Sequence, residues 1–217
     1  MAQTMRKRFV VAAAVATFGL VGVACGSDNN TTSSSSAAAS SGAASPQAVI
    51  SSLSGVGTTV NVDAGTAGVL QQNGVSVAPV APATASTAGG GLAVTFPITG
   101  GNVSLYDTSQ LPFIRGAVNH SGGLTFSAGG KSLTVTNFIV DPGASTLTAT
   151  VGGAQVKIFD LNGSGVKVSK DSAGHVHLDG TIVELSSDAA SALNSTFGVT
   201  LFKQGIVIGV AHIDATG

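Results

Sequence analysis

The sequence predicts a mainly β fold, an antiparallel sandwich or barrel-like domain of about nine to ten strands with two short helices. Three observations predict it. Short runs of Val, Ile, Thr, Leu and Phe recur between residues 92 and 214, separated by Gly, Asn and Asp turn signals. Several runs alternate with the period of two that a half-buried strand requires: Leu147, Ala149 and Val151 face one way, Thr146, Thr148 and Thr150 the other. No segment between the runs is long enough for the crossover helix of a parallel sheet.

Ahead of the domain, the N-terminus has the three zones of an export signal: basic Arg6-Lys7-Arg8, an apolar run from Phe9 to Ala24, and small residues Gly22-Val23-Ala24 before Cys25. Sixteen residues in the apolar run fall short of the about 20 that a spanning helix needs. Residues 1–24 therefore read as a lipoprotein signal peptide, and Cys25, the only cysteine, as the lipidated first residue of the mature chain. Such an anchor holds a protein to a cell membrane, facing out of the cytoplasm at the cell surface or in the periplasm. An ordinary cleaved signal with an incidental cysteine is the alternative. Residues 25–46 continue as a stretch of Ser, Ala, Thr, Asn and Gly with one charge, Asp28, too poor in apolar surface to offset the entropy of ordering it, and are expected to form a flexible tether. Residues 47–217 are then a single β-rich domain.

Within that domain a first short helix is expected from Asp63 to Asn73, with Asp63 as cap, Val69 and Leu70 inside and Gly74 behind. Strands are expected at 92–98, 103–106, 114–118, 124–127, 132–140, 145–151, 155–159, 166–169, 175–185 and 206–214. The turns between them are Gly100-Gly101-Asn102, Ser121-Gly122-Gly123, Gly129-Gly130, Asp141-Pro142-Gly143, Gly152-Gly153 and Asn162-Gly163. A second helix, 186–197, has Ser187 or Asp188 as cap and Gly198 as stop. The run Ile206-Val207-Ile208-Gly209-Val210 is apolar on both faces, which suits a central strand or the wall of a cavity.

Composition narrows the function. Removing the signal leaves six basic residues against ten acidic ones, a net charge of about −4. Nucleic acid and anionic membrane surfaces lose their electrostatic basis, because phosphate neutralisation needs clustered Lys and Arg. With one cysteine there is no internal disulfide and no multi-thiolate metal site, so the core must hold the fold.

Enzyme motifs are missing. Gly129-Gly130-Lys131-Ser132 is similar to the end of a phosphate loop, but Thr125 stands where its first glycine belongs and a strand follows, so it reads as a hairpin turn. There is no Gly-x-Ser-x-Gly nucleophile elbow. Asp160-Leu161-Asn162-Gly163 starts a calcium-loop pattern without the later carboxylates and reads as an Asn-Gly turn. The protein is expected not to be an enzyme.

Four histidines carry what chemistry remains: His120, His175, His177 and His212. In a strand His175, His177 and Asp179 would share one face, with Val176, Leu178 and Ile182 on the other. A His-x-His pair plus a carboxylate is a minimal face for zinc or copper; a solvated strand face beside the Asp171 to Gly174 turn gives the same pattern. His212, among Ile208, Val210 and Ile213, suits a hydrogen-bonded, partly buried side chain. His120 lies at a strand-to-turn junction, where binding residues often sit.

The blocks Phe96-Pro97-Ile98-Thr99-Gly100-Gly101, Gly116 to Phe126 with Asn119-His120-Ser121-Gly122-Gly123, Leu133 to Asp141, and Leu147-Thr148-Ala149 resemble actinobacterial surface domains of the HtaA haem-binding type. The segment Asp188 to Gly198 is similar to that family's closing helix. The resemblance spans about 90 to 210 and is carried by strands, turns and one helix. It implies a surface domain that grips haem through a tyrosine ligand with a histidine nearby, since phenolate oxygen suits ferric iron. Tyr106, the only tyrosine, and His120 are the residues that could fill those roles.

Taken together, these features lead one to expect a lipid-anchored, non-enzymatic β domain with a binding or structural role at the cell surface, haem being the sharper version. A carrier of lipid or another apolar ligand, enclosed by the strands, is the alternative.

Overall fold

The computed structural model describes residues 44–87 and 90–216, so the signal peptide, Cys25 and all but the end of the 25–46 tether lie outside the described residues. Residues Gly42–Gly217 form one compact unit. Its elements are β1 (Ala48–Ile50), β2 (Ser54–Val62), α1 (Ala64–Gln72), β3 (Ser76–Val80), β4 (Thr84–Ser86), β5 (Ala93–Phe96), β6 (Ile98–Leu105), β7 (Ile114–His120), β8 (Gly123–Ala128), β9 (Lys131–Asp141), β10 (Thr146–Val151), β11 (Ala154–Asn162), β12 (Lys167–Lys170), β13 (Val176–Leu185), α2 (Ser187–Phe197) and β14 (Val207–Thr216).

The fold is mainly β, as the alternation predicts, with fourteen strands described in one antiparallel sheet. Its main path is β1-β6-β7-β9-β10-β11-β13-β14-β2-β5-β4, with β12 added on β13 and β3 joined through β8 to β9. The four strands that precede residue 87 were not expected. Gly55 and Gly57 interrupt the apolar pattern of β2, and Pro79 in β3 is tolerated because β3 is an edge strand paired only with β8.

The sheet curls into a half-barrel, and the chain itself joins the two sides of the curl. β5, at one side, runs through Pro97 directly into β6, at the other. The Leu53 amide donates to the Gly101 carbonyl at 2.9 Å, linking the segment before β2 to β6. Gly100-Gly101-Asn102, expected as a turn, lies inside β6. Gly101 has φ +122° and Gly116, across the hairpin on β7, has φ +125°. A Cβ on either would stand 2.1 Å from a carbonyl oxygen of the other strand, Ala117 for Gly101 and Asn102 for Gly116. Only glycine fits there.

The core runs along the inside of the curl. Phe96 and Phe138 meet edge to face with ring centroids 4.8 Å apart, and Ala149, Val183 and Leu185 are buried around them. A second cluster, Leu53, Ile98, Val103, Ile114, Val118, Val140, Ile213 and Ala215, fills the neighbourhood of β1, β6 and β7. Each fully buried side chain of this kind contributes about 1.5–3 kcal/mol.

The two helices differ. α2 buries Ala189, Ala190 and Leu193 against β9 and β11. Its cap is Ser186, not Ser187 or Asp188: the Ser186 hydroxyl accepts from the Ala189 amide at 3.2 Å and donates to the Lys157 carbonyl at 3.0 Å. Gly198, left-handed at φ 70°, ends it. α1 is capped by Asp63 as expected, the carboxylate accepting from the Thr66 amide at 2.8 Å, yet none of its residues is buried.

Candidate functional site

Because the inward side chains on β2, β6, β7, β9, β11, β13 and β14 are Val, Ile, Leu, Phe and Ala apart from Thr58, His120 and Thr181, the inside of the curl is largely apolar. It is also hollow. A cavity of about 500 Å³ lies there, walled by Val60, Val94, Phe96, Val103, Ile114, Val118, Phe138, Val140, Leu147, Val183, Ala211 and Ile213 among others. Among the described residues no Asp, Glu, Lys or Arg lines it. Exposed residues that line it, Leu111 and Pro112 on one side and Asn162, Gly163 and Ser164 on the other, mark where it reaches solvent. Leu111 is 80% exposed at that rim.

His120 projects into this apolar wall from the end of β7, and it is 5% exposed. Its Nδ1 lies 3.3 Å from the Phe138 carbonyl and its Nε2 2.6 Å from the Thr58 hydroxyl. A carbonyl only accepts, so the proton sits on Nδ1, and Nε2 accepts from Thr58. Both partners are thus satisfied by a neutral ring. Burial pushes the imidazole down to about 4, against the pull of the Phe138 and Val118 carbonyls, so the wall carries no charge at neutral pH.

Tyr106 stands elsewhere. It follows β6, outside the residues that line the cavity, its amide donating to the Phe113 carbonyl at 2.7 Å and the Arg115 guanidinium lying 4.3 Å from the ring centroid. Leu105 pairs with Ile114 and Ile98 with His120, so the hairpin separates Tyr106 from His120 by most of a strand, roughly 20 Å at about 3.3 Å per residue. The structure does not bring these two residues to one iron atom.

His175, His177 and Asp179 do not converge on one point in this structure. Their partners are carboxylates and a histidine on the outer face of the sheet, Asp171 lying between His175 and, at 3.7 Å, His177 Nε2. The Asp171 carboxylate lies 3.0 Å from His175 Nδ1; His177 Nδ1 bonds to Asp214; Asp179 is held by His212 Nδ1 at 2.8 Å. The cause is the pairing of β13 with β14, which sets His177 opposite Asp214 and Asp179 opposite His212. Among the described residues no group of three or more His, Cys, Asp or Glu is arranged to hold a metal ion. The Asp214 hydrogen bond raises His177 above its ordinary range, and backbone donors, His175 foremost, hold Asp171 below the usual carboxylate value. A register shift at Gly180 also turns β13, so that Val176, Leu178, Thr181 and Val183 line the cavity and Ile182 does not.

What the sequence did not reveal is the cavity itself. Its one legible sign was the doubly apolar run at 206–210, which becomes β14, a central strand between β13 and β2 whose Ile208 lines the hollow.

No family model matches this chain, and no curated protein matches it. Among solved structures, the C-terminal domain of HtaA from Corynebacterium glutamicum is similar over 77% of this chain and 98% of that one, with a TM-score of 0.48 and 15% identity. The chain weakly resembles that domain. A likeness of this size leaves the ligand to be argued from the cavity. Among the described residues no helix is long and apolar enough to cross a membrane.

Proposed function

We propose that this protein is a non-enzymatic lipoprotein of the cell envelope whose β domain binds a small apolar ligand inside the half-barrel. One observation carries the reading: a hollow of about 500 Å³, walled by aliphatic and aromatic side chains and free of formal charge, where a protein of this size would otherwise pack its core solid. That volume lies in the range of small-molecule sites, about 300–1,000 Å³. An unfilled apolar hollow costs stability, and an apolar ligand that fills it recovers the lost contacts.

Phenylnaphthylamine, an uncharged dye that fluoresces in apolar surroundings, tests the reading. Ala211 faces the hollow from β14, and Ala211→Phe would occupy the space without disturbing the rim. The full chain is expected to bind the dye and the variant to lose binding at least about tenfold, while keeping its thermal midpoint. Equal dye binding by both proteins overturns the proposal.

Haem is a second reading, favoured by the bond of the Tyr106 amide to Phe113, which lines the cavity. It would use Tyr106 as sole axial ligand, without His120. Titration of haem into the full chain is then expected to give a Soret shift that Tyr106→Phe abolishes; a shift that survives the substitution excludes this mode.

A further inference from the structure

Just outside the lining of the hollow, at its mouth, stands one cation. Arg115 follows Ile114 on β7, and since Ile114 lines the hollow, the Arg115 side chain leaves the strand on the other face. It is half-buried there and held in place. Its Nε donates to the Pro112 carbonyl at 3.0 Å, and its guanidinium lies over the Tyr106 ring, 4.3 Å from the centroid. On its β9 side, a Cβ added to Gly143 would stand 3.8 Å from both Cα and Cγ of Arg115. The residues that flank it on both sides, Pro112 and Phe113 on one, Pro142 and Ser145 on the other, belong to the lining of the hollow.

The charge held at this mouth has no carboxylate against it. Among the described residues the ion pairs are those of Lys157 with Asp160 and of three histidines with aspartates. The two carboxylates closest to Arg115 along its flanks are engaged otherwise: Asp141 accepts from the Ala144 amide at 2.9 Å, and Asp107 from the Ser109 amide at 2.9 Å and the Gln47 side chain at 3.1 Å. Pro112 is the one acceptor that Arg115 has among the described hydrogen bonds. The N–H groups on its two Nη atoms therefore remain as a planar fork, the geometry that receives a carboxylate through two parallel bonds. Because the Pro112 bond and the Tyr106 ring already restrict the side chain, little ordering is left for a ligand to impose. Leu111 and Pro112 are exposed, so a charged head on this fork keeps water on its outer side. With Asp107 and Asp141 on the flanks, a head with one negative charge is better tolerated than a doubly charged phosphate.

We propose that Arg115 determines the specificity of the hollow: the ligand is the anion of an apolar carboxylic acid, its body inside the half-barrel and its carboxylate on the Arg115 Nη atoms beside Pro112. This deepens the apolar-ligand reading and rests on it. The hollow supplies affinity for the body, and the guanidinium selects the head.

Calorimetric titration of the full chain with decanoate and with 1-decanol, the same chain length with an uncharged head, tests it at neutral pH. Arg115→Gln is expected to weaken decanoate by about fivefold or more, the loss of a charge-assisted contact at a partly exposed site, and to leave decanol and phenylnaphthylamine within about twofold. Arg115→Lys, which keeps the charge and loses the fork, should fall between the two. In the unaltered protein, raising the salt should lower the affinity for decanoate and not for decanol, because exposed charges are screened. Decanoate and decanol weakened by the same factor in Arg115→Gln overturn the proposal, as does loss of the dye in that variant, which would make Arg115 a prop of the Pro112 loop. If the dye binds and decanoate affinity is indifferent to Arg115, only this inference fails; if dye, decanoate and decanol all fail to bind the unaltered protein, the apolar-ligand reading fails with it.

Discussion

At His120 the physical consequences are the most direct. In the unfolded chain this imidazole takes up its proton near 6.5; folded, it does so only at about 4. Between those values the unfolded chain binds the extra proton, so stability falls as pH drops from about 6.5 to about 4, by about 3 kcal/mol in all. Urea unfolding at neutral pH and at the acid end of that window should reveal the loss, and His120→Gln should remove most of it. An acid dependence unchanged in the variant would assign the loss to other groups. His177 acts in the opposite sense. Its value is raised by Asp214, so the stabilisation it gives is complete below the ordinary histidine range and fades as pH climbs through the raised value. In an NMR titration His177 should have a midpoint above 6.5 that returns toward it in Asp214→Asn, while His120 shows no titration near neutrality. The residue scale is also where the sequence was least readable. The outward face of β13 could be seen to gather His175, His177 and Asp179, but the partners Asp214 and His212 come from β14, some 35 residues on, and no local pattern encodes that register.

Among the elements, α2 and α1 make a pair with opposite dependence on their caps. Ser186 is fully buried and serves two bonds. Ser186→Ala removes the cap and leaves the Lys157 carbonyl short of a donor inside the protein, so it should cost about 2 kcal/mol in global unfolding. Asp63→Ala removes an equivalent cap from a helix that buries nothing. It should lower the global midpoint less than Ser186→Ala does and accelerate amide exchange chiefly in α1, because Leu70 is the one large α1 side chain packed against the core. In β7, Gly116→Ala combines a positive φ with a carbonyl 2.1 Å from the new methyl, and a loss of more than about 3 kcal/mol is expected. Most elements were legible from alternation and turn chemistry. The Gly152-Gly153 and Gly129-Gly130 turns fall between strands as expected, because short turns are local. The misreadings share a cause: Gly101, Gly55 and Gly57 look like punctuation in sequence but are places where strands pass too closely for a side chain, and that need arises only in three dimensions.

For the whole molecule, alternation could predict which side chains turn inward but not whether they fill the interior. Val60, Val118, Val183 and Ala211 face in, as any buried strand residues would; the hollow between them depends on how tightly the sheet curls. Filled and empty half-barrels therefore share one sequence pattern. The proposed anchor is likewise tested on the intact chain. Cys25→Ser is expected to abolish labelling by an alkyne palmitate analogue and move the protein from the membrane fraction, whereas labelling that survives would reassign the N-terminus to an ordinary signal.

One further consequence follows from the place of β14. This strand, near the end of the chain, is flanked by β13 on one side and by β2 on the other. During synthesis β2 emerges first and finds no partner for its β14 edge until some 150 residues more have appeared. Ribosome-bound chains halted before residue 207 should then remain protease-sensitive around β2, and closing the β2–β14 pairing should be slow once the chain is released. The order of strands thus leaves the β2–β14 junction as a pairing that closes only when the chain is nearly complete.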